Sequence, residues 1–394
     1  MSNDRPRLKL QPGGDKRAML GHPWIFSNEL VMDAAAKALP PGEIVTVIRP
    51  DGRPLGAAFF NPHSLIAARL LTRDADRAID EAFLHKRLQR ALKLRDRLIG
   101  APFYRLVHAE ADGFPGCTID RFGDVVVVEP NSAGADRLIE PLVAALDRLL
   151  KPRTIVISGD GPARTLEGLA PIHHIAKGSL DGAVELQEHG ARFLADLAEG
   201  QKTGWFYDQR SNRDALARYV EGRAVLDVFS YIGGWSLRAL KLGASSAVAV
   251  DSSAPALEGV AKNAELNGVT VEAIQGKAID VLREMRTAQR KFDVVVVDPP
   301  ALIKRKKDLE AGSAHYGALN KTAIELLAPD GILISCSCSH HLDAESLQRI
   351  LLRESRAAGR RLQILEQGGQ GPDHPVHPAI PETRYLKAFF CRVV

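Results

Sequence analysis

From about residue 190 to the end of the chain, short apolar runs alternate with helical stretches, and few architectures accept that order. The runs are Ala224 to Phe229, Ala247 to Val250, Val271 to Ile274, Phe292 to Val297 and Gly331 to Ser337. Such alternation demands a parallel sheet with helices on both faces. The helices carry their own marks. Leu257, Val260, Ala261 and Ala264 keep i, i+3, i+4, i+7 spacing up to an Asn267-Gly268 stop. Leu319, Ala323 and Leu326 form a similar stripe, ended by Pro329-Asp-Gly331. Leu362 to Leu365 and Leu386 to Val393 are expected as an antiparallel pair at one side.

The first half reads differently. Ile44 to Ile48, Leu55 to Phe60 and Leu65 to Leu71 are β-like runs broken by Pro and Gly, the pattern of a small β-barrel. Asp74 to Leu98 reads as one long helix, with Ile79, Phe83, Leu88 and Leu92 on its apolar side. Between Tyr104 and Glu188 the order is strand, turn, strand, helix, strand. Asp112-Gly-Phe-Pro-Gly116 and Gly123-Asp124 are turn signals, Val125 to Glu129 and Thr154 to Ser158 are strands, and Arg137 to Leu150 is helical. Glu185 to Phe193 begins a hairpin. The 394 residues thus divide into a β-barrel over 1–73, a linker helix with a strand-rich α+β domain over 74–188, and an α/β domain over 189–394.

Hydrophobic residues at 45% and charged residues at 25% are ordinary for a globular protein, and no apolar run is long enough to span a bilayer. The start, Met1-Ser-Asn-Asp-Arg-Pro-Arg7, lacks the basic-then-apolar layout of a secretory signal, so a cytoplasmic protein is expected. A net charge of +4 permits nucleic acid as a partner without arguing for it. Basic residues cluster at Arg5 to Lys9, Arg87 to Arg97 and Lys304-Arg305-Lys306-Lys307, where a solvated face is the plainer reading of each. The four cysteines, Cys117, Cys336, Cys338 and Cys391, are too few and scattered for a disulfide framework.

Ligands of an open α/β sheet bind at the carboxyl ends of its strands, where the first turn opens into a helix. That turn is Asp227-Val-Phe229-Ser230-Tyr-Ile-Gly233-Gly234-Trp235. Paired glycines let the backbone approach a ligand, and the helix N-terminus favours a carboxylate. The next strand ends in Asp251-Ser252, and an acid there suits two ribose hydroxyls. The dinucleotide fingerprint is missing, because Phe229 to Ile232 stand where its first glycines would be. The loop is poor for a pyrophosphate and suitable for an amino acid joined to a nucleoside, which describes S-adenosylmethionine. The competing reading is a tight turn in another doubly wound protein.

Val294 to Val297 is a buried strand that ends in Asp298-Pro299-Pro300, and the prolines hold the carboxylate at the sheet edge. Acid-Pro-Pro here is typical of enzymes that methylate nitrogen or carbon of nucleobases. Ala301 follows instead of the aromatic expected when an exocyclic nitrogen is the target. The neighbouring strand ends in Ser335-Cys336-Ser337-Cys338-Ser339-His340-His341. Methylating carbon 5 of a pyrimidine needs a thiolate at carbon 6, which pushes electron density onto carbon 5. A Cys at this strand end is placed for that. Buried packing and a Cys-x-Cys-x-His metal site are the alternatives, and the second lacks a further ligand pair. His173-His174 and His374 with His377 do not supply one, so no metal is expected.

These residues resemble the RlmI-like family of bacterial large-subunit ribosomal RNA cytosine-C5 methyltransferases, over nearly the whole chain. Gly21-His-Pro-Trp-Ile-Phe-Ser27 is similar to the family's N-terminal PUA domain, an RNA-binding barrel. Leu106 to Gly116 with Asp120-Arg121 is similar to its central domain, and Lys202-Thr-Gly204-Trp-Phe-Tyr-Asp208-Gln209-Arg210 to the segment ahead of the cofactor loop. Asp373-His-Pro375 and Tyr385 to Arg392 complete the likeness. It implies a PUA-like barrel, a central α+β domain and a Rossmann-like class I methyltransferase domain. It implies Cys338 as the nucleophile, with Phe206, Asp208 and Gln209 helping to enclose S-adenosylmethionine. Cys336 is taken as packing. With Ala301 where two-cysteine relatives carry a second Cys, one-cysteine chemistry is implied. One departure is Gly276-Lys277-Ala278, where many relatives have an acid near the adenine.

The expected mechanism has Cys338 add to carbon 6 of a cytosine while Asp298 hydrogen-bonds the ring. Asp227, Phe229, Ser230, Gly233, Gly234, Asp251, Ser252, Lys277, Ala278 and Asp298 are expected around the cofactor, and Lys304 to Lys307 on phosphates. Ribosomal RNA is the expected partner, no membrane is expected, and a homodimer is left open. The rivals are a methyltransferase acting on guanine nitrogen or uracil, and a non-catalytic RNA-binding relative.

Overall fold

The computed structural model describes residues 5–197 and 204–394. Lys202 and Thr203, part of the segment ahead of the cofactor loop, lie outside the described residues, as do Met1 to Asp4. Two compact units are present. One takes the described parts of Met1–Val184, Ala195–Trp205 and Pro372–Thr383, and the other takes Glu185–Leu194, Phe206–Gly371 and Arg384–Val394.

The first unit opens with β1 (Arg7–Lys9), α1 (Lys16–Met19), β2 (Trp24–Ile25), α2 (Ala34–Lys37), β3 (Glu43–Ile48), β4 (Pro54–Phe60) and β5 (Ala68–Thr72). The strands form one sheet in the order β1-β3-β4-β5-β2 around buried Leu8, Leu10, Ile25, Val45, Val47 and Phe60. The last strand starts at Ala68 rather than Leu65. Residues 61–67 are taken by a turn in which Asn61 N–H donates to the Ala67 carbonyl, and Leu65 stays exposed.

The helix expected from Asp74 is α3 (Glu81–Leu98). Asp74 accepts from the Asp76 amide, a local bond that competes with helix. The true start is Asp80, whose carboxylate caps the Phe83 amide at 2.9 Å. This helix covers a second sheet made of β6 (Phe103–His108), β7 (Cys117–Phe122), β8 (Val125–Pro130), β9 (Thr154–Gly159) and β10 (Ile172–Lys177), with α4 (Ala133–Arg137), α5 (Ile139–Leu150) and α6 (Pro162–Leu166) between them. Phe83, Leu84, Leu88 and Ala91 are its buried side.

The hairpin β11 (Val184–Glu188) and β12 (Ala191–Ala195) precedes α7 (Arg210–Ala215). Then follow β13 (Ala224–Val228), α8 (Gly234–Lys241), β14 (Ser246–Asp251), α9 (Ala254–Asn267), β15 (Glu272–Gln275), α10 (Ala278–Thr287), β16 (Phe292–Val297), α11 (Leu309–Leu326), β17 (Leu327–Ser337), α12 (Ala344–Ala357), β18 (Leu362–Gly368) and β19 (Lys387–Val393). The sheet order is β15-β14-β13-β16-β17-β19-β18, parallel from β15 to β17 and antiparallel on both sides of β19. Along β16, Val294 and Val296 enter one apolar core while Val295 and Val297 enter the other, so the strand is buried on both faces. The order reverses between β13 and β16, which opens a crevice at their carboxyl ends.

Two further details depart from the sequence expectation. The buried stripe of α9 is Ala256, Val260, Asn263 and Ala264, and Ala261 faces out. Burying Asn263 is tolerated because its amide bonds the Leu194 amide at 2.7 Å and the Ile232 carbonyl at 3.1 Å. β17 begins at Leu327, four residues before Gly331, with a bulge past Phe292 and Asp330 in the left-handed region.

Candidate active site

The loop after β13 is shaped by backbone that ordinary residues avoid. Phe229 and Tyr231 both have positive φ, at 67° and 48°, and Gly233 follows at 87°. The Phe229 and Ser230 amides hold the turn by donating to the Val250 carbonyl at 2.9 and 3.0 Å. Asp251 accepts the Tyr231 amide on one oxygen and the Ser253 amide on the other, each at 2.9 Å. The Phe206 ring packs edge-on against Tyr231.

Asp227 sits under this loop, fully buried. One carboxylate oxygen accepts the Ser236 amide at 2.9 Å in the first turn of α8. The other has no hydrogen-bond partner among the described residues, and neither does the buried Ser230 hydroxyl. Burial pushes the Asp227 pKa up to about 7, against the hydrogen bonds from Ser236.

Asp298 lies one strand away, its carboxylate gripped on both sides. Gln209 Nε2 donates to one oxygen at 2.8 Å and Trp235 Nε1 to the other at 2.9 Å. Gln209 Oε1 in turn accepts from Asn212 at 2.6 Å, which fixes the amide so that its NH2 faces the carboxylate. Burial raises Asp298 to about 6; the Trp235 bond opposes that rise and the charge of Asp208 adds to it. Asp208 accepts from the Tyr385 hydroxyl at 2.7 Å and keeps a second, buried oxygen without a partner among the described residues.

The two cysteines at the end of β17 meet opposite surroundings. Cys336 is fully buried among Val294, Val296 and Phe390, and burial pushes its thiol well above the ordinary range. Cys338 lies just past the strand, half-buried, with Sγ 3.9 Å from the Pro299 carbonyl. Its neighbours are locked. Ser337 donates to the Tyr316 hydroxyl at 2.9 Å, and Ser339 Oγ bonds the same hydroxyl at 2.9 Å and accepts the Ile303 amide at 3.1 Å. Lys387 Nζ donates to the carbonyls of Ser339 and Tyr385 at 2.6 and 2.7 Å.

The structure therefore brings Asp208, Gln209, Asp227, Ser230, Asp298 and Cys338 to the carboxyl ends of β13, β16 and β17. Gly234 begins α8, and Ser252 follows β14 exposed. Lys277 is exposed before α10 and Ala278 is buried, while the Gly276 amide ties this turn to the Asp251 carbonyl at 3.0 Å. Lys304, Arg305, Lys306 and Lys307 are exposed on the loop from Pro300 to α11, with Arg305 paired to Asp308 at 3.3 Å. Sequence reading missed Trp235, Asn212 and Lys387 as parts of the site. Trp235 had a signal, its place in the first turn of α8.

The pocket chemistry suits S-adenosylmethionine. Asp227 and Asp208 each offer a buried, unpaired carboxylate oxygen to a cationic ligand, and the Ser230 hydroxyl is similarly open among the described residues. Also among the described residues, no three His, Cys, Asp or Glu side chains gather as metal ligands, and no helix is long and apolar enough to cross a membrane.

Comparison with known proteins agrees with this geometry. A PUA-like domain model matches residues 8–73, and an S-adenosylmethionine-dependent methyltransferase model matches residues 174–392, more than half of the chain. The chain is 39% identical over 395 residues to ribosomal RNA large subunit methyltransferase I of Escherichia coli O139:H28, covering 98% of this chain and 99% of the relative. A solved structure of a protein described as a methyltransferase, complexed with SAH, superposes with a TM-score of 0.83 at 19% identity, covering 98% of this chain and 100% of the other. A Streptococcus mutans protein described as a SAM-dependent methyltransferase gives 0.81 at 19% identity, with the same coverage. At that identity the two structures bear on the fold alone, a PUA-like domain followed by a class I methyltransferase.

Proposed function

The chain belongs to the S-adenosylmethionine-dependent methyltransferase family that includes ribosomal RNA large subunit methyltransferase I, and we propose that it methylates carbon 5 of a cytosine in large-subunit ribosomal RNA. The observation that carries this reading is Cys338 Sγ at 3.9 Å from the Pro299 carbonyl, one residue from Asp298. A thiol and a carboxyl thus flank one crevice.

S-adenosylmethionine supplies an electrophilic methyl group on its sulfonium sulfur. Asp227, Asp208 and Ser230 would hold its amino-acid end, and Asp251 its ribose. Cys338 contributes the step that carbon 5 cannot take alone. Its sulfur pair forms a bond to carbon 6, and the carbon 5–carbon 6 π pair moves to carbon 5, which then accepts the methyl group. Asp298 hydrogen-bonds the ring as charge builds there, and the Gln209 and Trp235 donors keep its carboxylate aimed. A base then removes the carbon 5 proton, the pair re-forms the double bond, and Cys338 leaves as thiolate. The target base must be unstacked to reach these groups. The PUA-like barrel and Lys304 to Lys307 position the RNA through phosphates, in a cytoplasmic protein.

Incubation of the protein and its Cys338→Ala variant with S-adenosylmethionine and unmodified large-subunit rRNA, followed by nucleoside mass spectrometry, tests the reading. New 5-methylcytosine with the wild type alone is expected. A methylated guanine or uracil, or equal activity in the variant, would overturn it.

A further inference from the structure

Lys387 opens β19 directly opposite Ser337, the residue before the proposed nucleophile, and it is 6% exposed. A lysine buried to that extent is normally paired with a carboxylate. Among the described residues, no Asp or Glu lies within ion-pair distance of its ammonium. Its two bonds go to the Ser339 and Tyr385 carbonyls, which orient a cation without neutralising it. The charges it meets are those of Cys338 first and Asp343 second, both favouring the charged lysine. Tyr316 and Cys336 also feel the charge of Cys338, and Asp298 lies across the same crevice from it. Tyr316 has its hydroxyl engaged by Ser337 and Ser339, and Cys336 is buried as a thiol. A buried cation held on the carbonyl of the residue after a half-buried thiol, on a strand whose first residue pairs with the residue before that thiol, is an arrangement for stabilising a thiolate.

We propose that Lys387 is a positioning residue whose ammonium holds Cys338 as a thiolate ready for addition to the pyrimidine. This rests on the reading of Cys338 as nucleophile. The thiol proton passes to solvent, the sulfur keeps the electron pair, and Lys387 stays protonated throughout. That pair forms the sulfur–carbon 6 bond and returns to sulfur when the bond breaks, so the ammonium meets the same anion at both ends of the cycle. Burial lowers the Lys387 pKa to about 8, so the lysine is charged at neutral pH.

The test is the pH dependence of Cys338 alkylation by iodoacetamide, followed by peptide mass spectrometry in the full-length protein. Lys387→Met is expected to raise the alkylation midpoint by about one pH unit and to slow alkylation at pH 7 roughly tenfold. Lys387→Arg should keep most of the wild-type behaviour. The acid limb of kcat should move with the midpoint, and the KM for S-adenosylmethionine should not. An unchanged midpoint in a folded Lys387→Met variant would overturn the proposal. Should that variant not fold, a wild-type midpoint at or above the ordinary ~8.5 of a free cysteine would overturn it. Methylation that survives Cys338→Ala would instead sink the nucleophile reading, and the Lys387 role with it, whatever the midpoint shows.

Discussion

Two strands of this chain read almost alike. Val125 to Val128 is followed by Glu129-Pro130, and Val294 to Val297 by Asp298-Pro299, so each is four buried valines closed by an acid and a proline. In β8 the pairing continues past the acid. Glu129 lies opposite Thr118 in an antiparallel ladder and accepts its hydroxyl at 2.7 Å, and Pro130 still pairs with Cys117. In β16 both neighbours are parallel and pairing stops at Val297. Beyond that point β13 turns away into its loop and β17 ends just before Cys338, so the Asp298 amide keeps one bond to the Val228 carbonyl, at 3.3 Å, while its carboxylate is met by side chains. The acid is the same kind of residue in both places. Whether the sheet order reverses beside it decides whether it becomes a cross-strand partner or a group free for chemistry.

The largest test of that contrast is a pair of isosteric changes. Asp298→Asn should lower methyl transfer by about 10²- to 10⁴-fold, in the range for a group acting in the transition state, while Glu129→Gln stays within about twofold. A comparable loss from Glu129→Gln would erase the distinction.

Next comes Asp227. Asp227→Asn should weaken S-adenosylmethionine binding by about tenfold or more in calorimetry, because an acceptor for a charged group is lost. The same change should flatten the pH dependence of the ligand-free protein's thermal midpoint. Asp227 has its folded-state pKa raised to about 7, so between its ordinary value and 7 the folded chain binds the extra proton. The sign follows: stability from this group is present at low pH and lost as pH rises through 7. A variant midpoint that falls with pH as steeply as the wild type would contradict the assignment.

The kcat/KM profile sharpens the Asp298 side further. With Asp298 raised to about 6, the profile should carry an inflection near pH 6 in addition to the limb set by Cys338, and Asp298→Asn should remove that inflection from its residual rate. The smallest effect is expected at Lys304 to Lys307. Replacing all four with alanine should reduce the slope of log affinity against log salt by at most about 3, with no change in S-adenosylmethionine binding. An unchanged slope would remove this loop from the RNA contact.

Much of the site was legible because its acids and the thiol sit at the ends of apolar runs. Asp227 and Asp251 lie in the last two residues of β13 and β14, and Asp298 and Cys338 directly follow β16 and β17, all strands that periodicity alone locates. The clamp on Asp298 was not legible, since Gln209 and Trp235 come from separate elements and only the folded sheet brings them together. Lys387 was hidden for the same reason, as strand register and not spacing puts it opposite Ser337. Local bonds explain the missed boundaries. The turns at Asn61 and Asp74 hold residues that their apolar or helical neighbours would have drawn into a strand or a helix. Asn263 displaced Ala261 from the buried face of α9 because its amide could be fully bonded there, something composition does not reveal.

The most direct test of the Cys338 adduct uses large-subunit rRNA transcribed with 5-fluorocytidine, incubated with S-adenosylmethionine and the wild type, Cys336→Ala and Cys338→Ala proteins. Fluorine at carbon 5 cannot leave as a proton, so an adduct formed through sulfur persists on a denaturing gel. The account predicts a covalent protein–RNA band with the wild type and Cys336→Ala and none with Cys338→Ala. A band that survives Cys338→Ala, or no band in an active wild-type preparation, would contradict it.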